Sequence, residues 1–550
     1  MESYSSFVKI FQEFFQRHKK YVFLRGSLSL LNVPLEIVGF SFVISKIFLE
    51  LKNNKPKNLV KWLIIAFILF FINELSFTAM DHLDSNTFPD FDIFLRKKIS
   101  NQILDKNEID FETIETGQVM SNLSKIPNYA ITFLEQVNYY VYSFILSFFG
   151  FIFFMFYVNK YLGLVSLVLG LLYLYVFKAN FSKTMETVME RENAENELMD
   201  QINDIFTNSL YIYSNGQLTQ EKERLYQIQD NFKELLLQSA KEQIAFKQKI
   251  GYFNFFFFAS IFLFGFYLHY KKIISLDKMI LVSTAIFLLI RHMRNVSRSI
   301  VNILSYSGVS KSLDKFFDKN EVMFKQGSKQ DGITKFNMKC TDLEFSYPSS
   351  EKLVFKNLSF EIKPNEQVAV LGPSGSGKST LLKLLLGFYE PTKGTLLIDG
   401  IPIQQFNKNY LRSYINYIPQ NPVLFNRTLY ENITYGTEYS KEEVLAALHK
   451  LDVNFNFLER GLDTPLGKNG DRLSGGQKQI VLLLRNYFKH SKVLILDEPF
   501  SGLDYINKKI FTRLLNLLGK NRTIIIITHD MEFAKSMPKQ ILLQDFFVKK

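Results

Sequence analysis

Cysteine is nearly absent from the 550-residue sequence: Cys340 stands alone. One thiol excludes an intrachain disulfide and a cysteine-held metal centre, and it reads as a small buried apolar residue in a reducing compartment. Nor is a cleavable leader expected. The opening MESYSSFVKIFQEFFQRHKK reads as an amphipathic entry helix with a basic end, without the small-residue cleavage site of a secretory signal. Nor is there an excess of acid: 65 Lys and Arg face 53 Asp and Glu, for a formal net charge of +12. That balance suits nucleic acid and an anionic membrane surface equally.

Aromatics decide between the two. Of the 56 Phe, 38 lie in the first three hundred residues, in runs such as Phe253–Phe258. Six apolar segments lie there, near 21–49, 59–81, 138–157, 159–178, 251–270 and 278–298. Each is close to the ~20 residues that a bilayer-spanning helix needs. The first and second, third and fourth, and fifth and sixth are joined by short connections. Long polar, helix-prone stretches separate the second from the third and the fourth from the fifth. They read as amphipathic helices carrying the spans past the bilayer on one side.

Loop charge leaves the topology open. Arg17, Lys19, Lys20, Arg96, Lys97 and Lys98 follow the positive-inside rule, whereas Lys52, Lys55, Lys57, Lys271, Lys272 and Lys278 fall in loops that would face outward. Within the spans, Glu36, Glu74 and the kink-prone Pro34 stand out. Arg291, Arg294 and Arg298 recur on one helix face. These arginines either line a cavity attractive to an anionic amphiphile or snorkel to headgroups.

From about residue 337 short β-rich runs alternate with turns and helices, as in an α/β domain with a mainly parallel sheet. The expected division is a membrane domain over 1–310, a linker over 311–336 and a nucleotide domain over 337–550. Gly372, Pro373, Ser374, Gly375, Ser376, Gly377, Lys378 and Ser379 fit G-x-x-x-x-G-K-[ST] between the strand QVAVL and the helix beginning at Ser379-Thr380. In such a loop backbone N–H groups and a helix N-terminus cradle phosphate. Lys378 is expected to reach the β- and γ-phosphates, and Ser379 to ligate Mg²⁺. The apolar strand VLIL delivers Asp497 to the same ion, and Glu498 beyond it is placed to polarise an attacking water.

Between these motifs lies Leu473-Ser474-Gly475-Gly476-Gln477, and His529 follows an isoleucine strand. With DEP at 497–499, these residues resemble the ATP-binding cassette (ABC) family, and the apolar half ahead looks like its exporter-type half-transporters. The resemblance implies a multi-domain chain: an all-α six-helix transmembrane domain, then an α/β P-loop nucleotide-binding domain. It implies further roles. Tyr347 looks like the aromatic that stacks on adenine, Gln420 like the glutamine contacting Mg²⁺ and water, His529 like the switch histidine on the γ-phosphate. The loop Ser501–Asp504 looks like the one coupling two ATP sites. Ser474, Gly475, Gly476 and Gln477 would read the γ-phosphate of ATP held by another copy. The chain departs from many exporters in DEPFSGLD, in LSGGQKQI and in the less acidic GLDTPLGKNGDR.

The implied activity is ATP-driven export or flipping of an amphipathic substrate by alternating access. The alternatives are a flippase specifically for lipid or a lipid-linked intermediate, an importer of the same architecture and, more remotely, a spanless ABC ATPase acting on nucleic acid or ribosomes. The expected partners are a second copy or sister chain, membrane lipid and the transported amphiphile, with no nucleic acid. ATP and Mg²⁺ are the expected cofactors. The stretches 107–117 and 208–217 are candidate turns for docking on the cassette. No leader peptidase is expected ahead of the spans. Residue usage suggests a bacterial inner membrane with the cassette in the cytoplasm. The six apolar runs predict that the protein stays in the membrane pellet after an alkaline carbonate wash. Release into the supernatant would favour the spanless alternative.

Overall fold

The computed structural model describes residues 5–106, 116–305, 327–348, 350, 352–373, 375–455 and 458–543. They fall into two compact units, Met1–Glu321 and Val322–Lys550.

The first unit is helical. Helix α1 (Ser5–Arg17) leads to α2 (Lys19–Pro34), which passes through a π-helical turn at Leu35–Gly39 into α3 (Phe40–Lys52). Then come α4 (Pro56–Lys106), α5 (Thr116–Gln136), a second π-helical turn at Val137–Val141, and α6 (Tyr142–Val158). Helices α7 (Lys160–Thr207), α8 (Ser209–Ser214), α9 (Leu218–Tyr270) and α10 (Leu276–Ser305) complete it among the described residues. Helices α4, α7 and α9 hold 51, 48 and 53 residues. At about 1.5 Å per residue each exceeds 70 Å, against about 30 Å of bilayer hydrocarbon. The extensions anticipated from the spacing are therefore present.

Phe148, Phe151, Phe257, Ile261, Val282, Ile286 and Leu289 form the interior of this unit. Outward faces are equally apolar: Phe67, Phe153 and Phe255 are each more than 70% exposed. A surface of that kind is matched by lipid rather than water. Among the described residues five helical stretches are long and apolar enough to cross a membrane: Lys19–Lys52, Pro56–Leu104, Leu123–Val158, Lys160–Thr207 and Leu218–Tyr270. The sixth expected segment, 278–298, is helical within α10 but is not among the five. Arg291, Arg294 and Arg298 interrupt its apolar run.

Polar residues in the spans separate by face. Pro34 keeps helical dihedrals, and the π-helical turn after it carries the chain on without a break. Glu36 in that turn is buried, pairs with Arg291 and bonds His292 Nε2 at 3.2 Å. Arg294 and Arg298 stay exposed on the face that Arg291 shares, and Glu74 is exposed on α4. A second buried pair joins Arg25 to Asp84 at 3.2 Å, with the Tyr21 hydroxyl donating to Asp84 at 2.7 Å. Buried charges in apolar surroundings are thus met by partners.

The second unit has two sheets. Strands β1 (Met338–Ser346), β2 (Leu353–Ile362), β4 (Lys393–Ile398) and β5 (Ile401–Pro402) make an antiparallel sheet in the order β2-β1-β4-β5. Strands β3 (Gln367–Leu371), β6 (Ile415–Ile418), β7 (Val493–Asp497), β8 (Thr523–Thr528) and β9 (Lys539–Leu542) make a parallel sheet in the order β6-β7-β8-β3-β9. Continuous apolar runs such as VLIL and IIII suit strands covered on both faces. The helices of this unit are α11 (Lys378–Leu385), α12 (Lys408–Ser413), α13 (Leu429–Ile433), α14 (Lys441–Lys450), α15 (Gly475–Lys489), α16 (Tyr505–Leu518) and α17 (Met531–Lys535).

Entry into this unit is fixed by one carboxylate. Asp399, in the β4–β5 turn, accepts the backbone N–H groups of Thr334, Lys335, Phe336 and Asn337 at 2.7–3.1 Å. Lys329 N donates to Gln405 O at 3.0 Å, so the end of the 311–336 stretch belongs to the cassette. Burial works against ionisation of Asp399, but the four N–H donors outweigh it and hold its carboxyl below the usual carboxylate range. A lowered folded-state value means that the stabilisation is present above the unfolded pKa of about 3.9 and is lost as pH falls through the folded one. Asp399→Asn should therefore lower the melting temperature of the cassette at pH 7, by a loss of about 2 kcal/mol. In calorimetry the gap from wild type should close below about pH 4.

Candidate functional site

Parallel strands deliver their carboxyl ends to one edge of the sheet, and the candidate residues gather there. β3 runs into the phosphate loop, β6 into Gln420, β7 into Asp497 and Glu498, and β8 into His529. β8 lies between β3 and β7. Two strand spacings put the phosphate loop and the acidic pair about 10 Å apart, with His529 between.

The loop fits its expected use. Gly375 and Gly377 take left-handed backbone angles, φ 81° and 87°. A Cβ on Gly377 would stand 2.6 Å from the Phe355 ring, and one on Gly372 would stand 2.2 Å from Ser376 Oγ. Ser376 Oγ is buried with no hydrogen-bond partner among the described residues, so the cradle holds an unmet polar atom. Lys378 Nζ spans the loop, donating to the carbonyls of Gly372 at 2.7 Å and Pro373 at 3.0 Å. Ser379 is exposed at the first turn of α11, and Thr380 beside it is buried. Ser374 lies outside the described residues. An orphaned hydroxyl, two glycines in left-handed conformations and a lysine across the mouth suit a polyphosphate with a hard cation on Ser379 and Asp497.

Tyr347, expected against adenine, joins the same loop. Its hydroxyl is 2.8 Å from Thr380 Oγ1, and its ring meets Phe345 and Tyr389 edge-on. Gln420 is exposed just beyond β6.

Glu498 is buried and has φ 44°, a left-handed conformation that a non-glycine residue adopts at a cost and that clusters at functional sites. Its backbone N–H donates to Ile527 O at 2.9 Å. One carboxylate oxygen, Oε1, accepts from His529 Nδ1 at 2.7 Å, and the other accepts from the Thr528 hydroxyl at 3.1 Å. Because a carboxylate only accepts, Nδ1 carries the proton and Nε2 is left facing outward. The His529 side chain is 73% exposed. Glu498 and His529, singled out separately in the sequence, are thus directly bonded. Thr528 was not singled out; its position at the strand end beside the histidine was the only available signal.

The serine-glycine turn is built differently. Ser474 caps α15: its hydroxyl accepts Gln477 N–H at 3.3 Å, and Gln477 Oε1 accepts Ser474 N–H at 2.8 Å. This reciprocal box satisfies two of the orphan N–H groups at the helix start. Those of Gly475 and Gly476 have no partner among the described residues. Gly475 is exposed with open space where a Cβ would be, while a Cβ on Gly476 would stand 2.9 Å from Leu503. Asp504 caps α16 by accepting Asn507 N–H at 2.8 Å, a bond that helps hold its carboxyl low. The Ser501–Asp504 loop therefore lies against the serine-glycine turn of its own cassette. Of the two docking candidates, 208–217 forms α8 and the turn at Gly216, with Leu210, Tyr211 and Tyr213 exposed. Most of 107–117 lies outside the described residues.

The family model of the ABC transporter transmembrane region matches residues 31–293, and that of the ABC transporter matches residues 355–501. The chain belongs to the ABC transporter family, as a helical transmembrane domain followed by an α/β nucleotide-binding domain. It is 38% identical over 226 residues to the lactococcin-A transport/processing ATP-binding protein of Lactococcus lactis, covering 40% of this chain and 31% of that one. It is 35% identical over 250 residues to the ATP-dependent lipid A-core flippase of Chromobacterium violaceum, covering 43% of each. The chain spans about a third of the length of the first curated relatives it matches. The structure of a bacterial Atm1-family ABC exporter with ATP bound superposes with a TM-score of 0.85 at 19% identity, covering 96% of this chain and 94% of that one.

Gly377→Ala should disable the loop, because the left-handed backbone costs a side chain about 1–2 kcal/mol before the Phe355 clash is added. Binding of a fluorescent ATP analogue to the purified protein should weaken more than tenfold.

Proposed function

We propose that the chain is half of an ATP-driven exporter or flippase for an amphipathic substrate, working as a dimer in which each copy completes the other's ATP site. The unmet N–H groups of Gly475 and Gly476 carry this reading. The capping box turns Ser474 and Gln477 inward on each other and leaves two glycine donors at a helix start, an arrangement suited to an anion. A phosphate loop with its own acidic pair needs no such donor from the same turn; a second copy does.

In this reading Tyr347 supports adenine and Lys378 with the loop amides holds the phosphates. Ser379, Gln420 and Asp497 would hold Mg²⁺, which neutralises phosphate charge when bound. Glu498 takes a proton from the attacking water, and His529, free to turn at Nε2, contacts the γ-phosphate. Asp504, beside the serine-glycine turn, links the paired sites. The presence of Glu498 favours two identical copies, since every site then has its base. Exposed Leu210, Tyr211 and Tyr213 support 208–217 as a docking turn. Relatives named for a lipid A-core and for lactococcin-A support an amphiphile as cargo, from a bacterial inner membrane with the cassette in the cytoplasm.

Mixing two inactive variants tests the shared site. Lys378→Ala breaks the phosphate loop, and Gly475→Asp sets a carboxylate where phosphate would be read, in open space that accepts the side chain. Each alone should hydrolyse ATP at least ~100-fold more slowly than wild type. Co-expressed copies carrying different tags, purified through both tags in nanodiscs, should regain hydrolysis, because one of the two sites is then intact. An inactive mixed dimer would contradict sharing between copies.

A further inference from the structure

The Glu498 carboxylate is held by two side chains of opposite character. His529, on Oε1, is mostly exposed and can swing away. Thr528, on Oε2, is 2% exposed and is the last residue of β8. The parallel register sets Asp497 opposite Ile527, and the Glu498 N–H bond to Ile527 O extends that ladder by one residue. Glu498 and Thr528 are therefore side by side by backbone geometry alone.

The direction of the threonine hydroxyl is also fixed. Thr528 Oγ1 accepts Asp530 N–H at 3.1 Å, which turns its own hydrogen toward Glu498 Oε2. Asp530 is itself anchored as the cap of α17, accepting the N–H groups of Glu532 and Phe533, each at 3.0 Å. A line of bonds thus runs from a helix cap through a buried hydroxyl to the acid. We infer that Thr528 is the positioning residue for Glu498, holding the carboxylate toward the attacking water whichever way His529 points. The inference rests on the reading of Glu498 as the general base.

Thr528→Val keeps the shape of the side chain and removes the donor, Thr528→Ala is a smaller second choice should valine disturb folding, and Thr528→Ser keeps the donor. In ATPase assays of the full-length protein in nanodiscs, the valine and alanine variants should lose roughly ten- to hundredfold in kcat, as expected for a displaced catalytic group. KM for ATP should stay within about twofold, since Thr528 does not hold the nucleotide, and serine should restore at least about half of kcat. A role in packing alone would make serine as poor as alanine. That result, or kcat within about twofold of wild type in both donor-less variants, overturns the inference. Glu498→Gln is assayed in parallel. If it is silent while Thr528→Val is fully active, only the positioning role falls. If it hydrolyses at the wild-type rate, the general-base reading falls and the positioning role with it.

Discussion

The parallel register of β7, β8 and β3 is the constraint on which the cassette depends. Leu371 pairs with Thr528, and Asp497 pairs with Ile527. A slip of one residue would turn each side chain to the opposite face of the sheet. It would bury Asp497 among the isoleucines and draw Glu498 away from Thr528 and His529. Because β7 and β8 are buried on both faces, their apolar residues fit either one, and the slip is opposed at the strand end, where it would cost burial of the Asp497 carboxylate. The spacing of the candidate site residues here follows from strand register.

The antiparallel sheet has a supporting role. Strand β2 presents Phe355 to Gly377, and β1 leads to Tyr347, whose hydroxyl meets Thr380. Both contacts bear on the start of α11, one from packing and one from a hydrogen bond. Asp399 ties the incoming chain to the other edge of the same sheet. The stretch that arrives from the membrane unit is therefore fastened to the sheet that shapes the nucleotide cradle.

Much of this was legible in the sequence, for a physical reason. A phosphate loop, a strand ending in acids and a capped glycine turn are local structures, each specified by a few consecutive residues. The long helices were legible too, because apolar length and polar spacing are also local. The bond between Glu498 and Thr528 was not, because it depends on the register of two strands about thirty residues apart in sequence. The same holds for Glu36 and Arg291, which were noticed separately but whose pairing depends on how α10 lies against the π-helical turn after Pro34. That pairing changes the reading of the arginine face. Arg291, though exposed itself, already has an anionic partner, and among the described residues no ion pair is seen for Arg294 or Arg298.

The serine-glycine turn shows how one short sequence meets two requirements. A helix start must satisfy its first N–H groups, and most helices do so with side chains or water. Here Ser474 and Gln477 satisfy each other's, which caps α15 without any ligand. The glycines add nothing to that cap. Gly476 is required by Leu503 and Asn507, which leave no room for a Cβ. Gly475 is exposed, with nothing in the cassette crowding it, and α15 alone would be better served by alanine there. Gly475 thus weakens its own helix while keeping a backbone donor uncovered, as the ATP site shared between two copies that we propose would require.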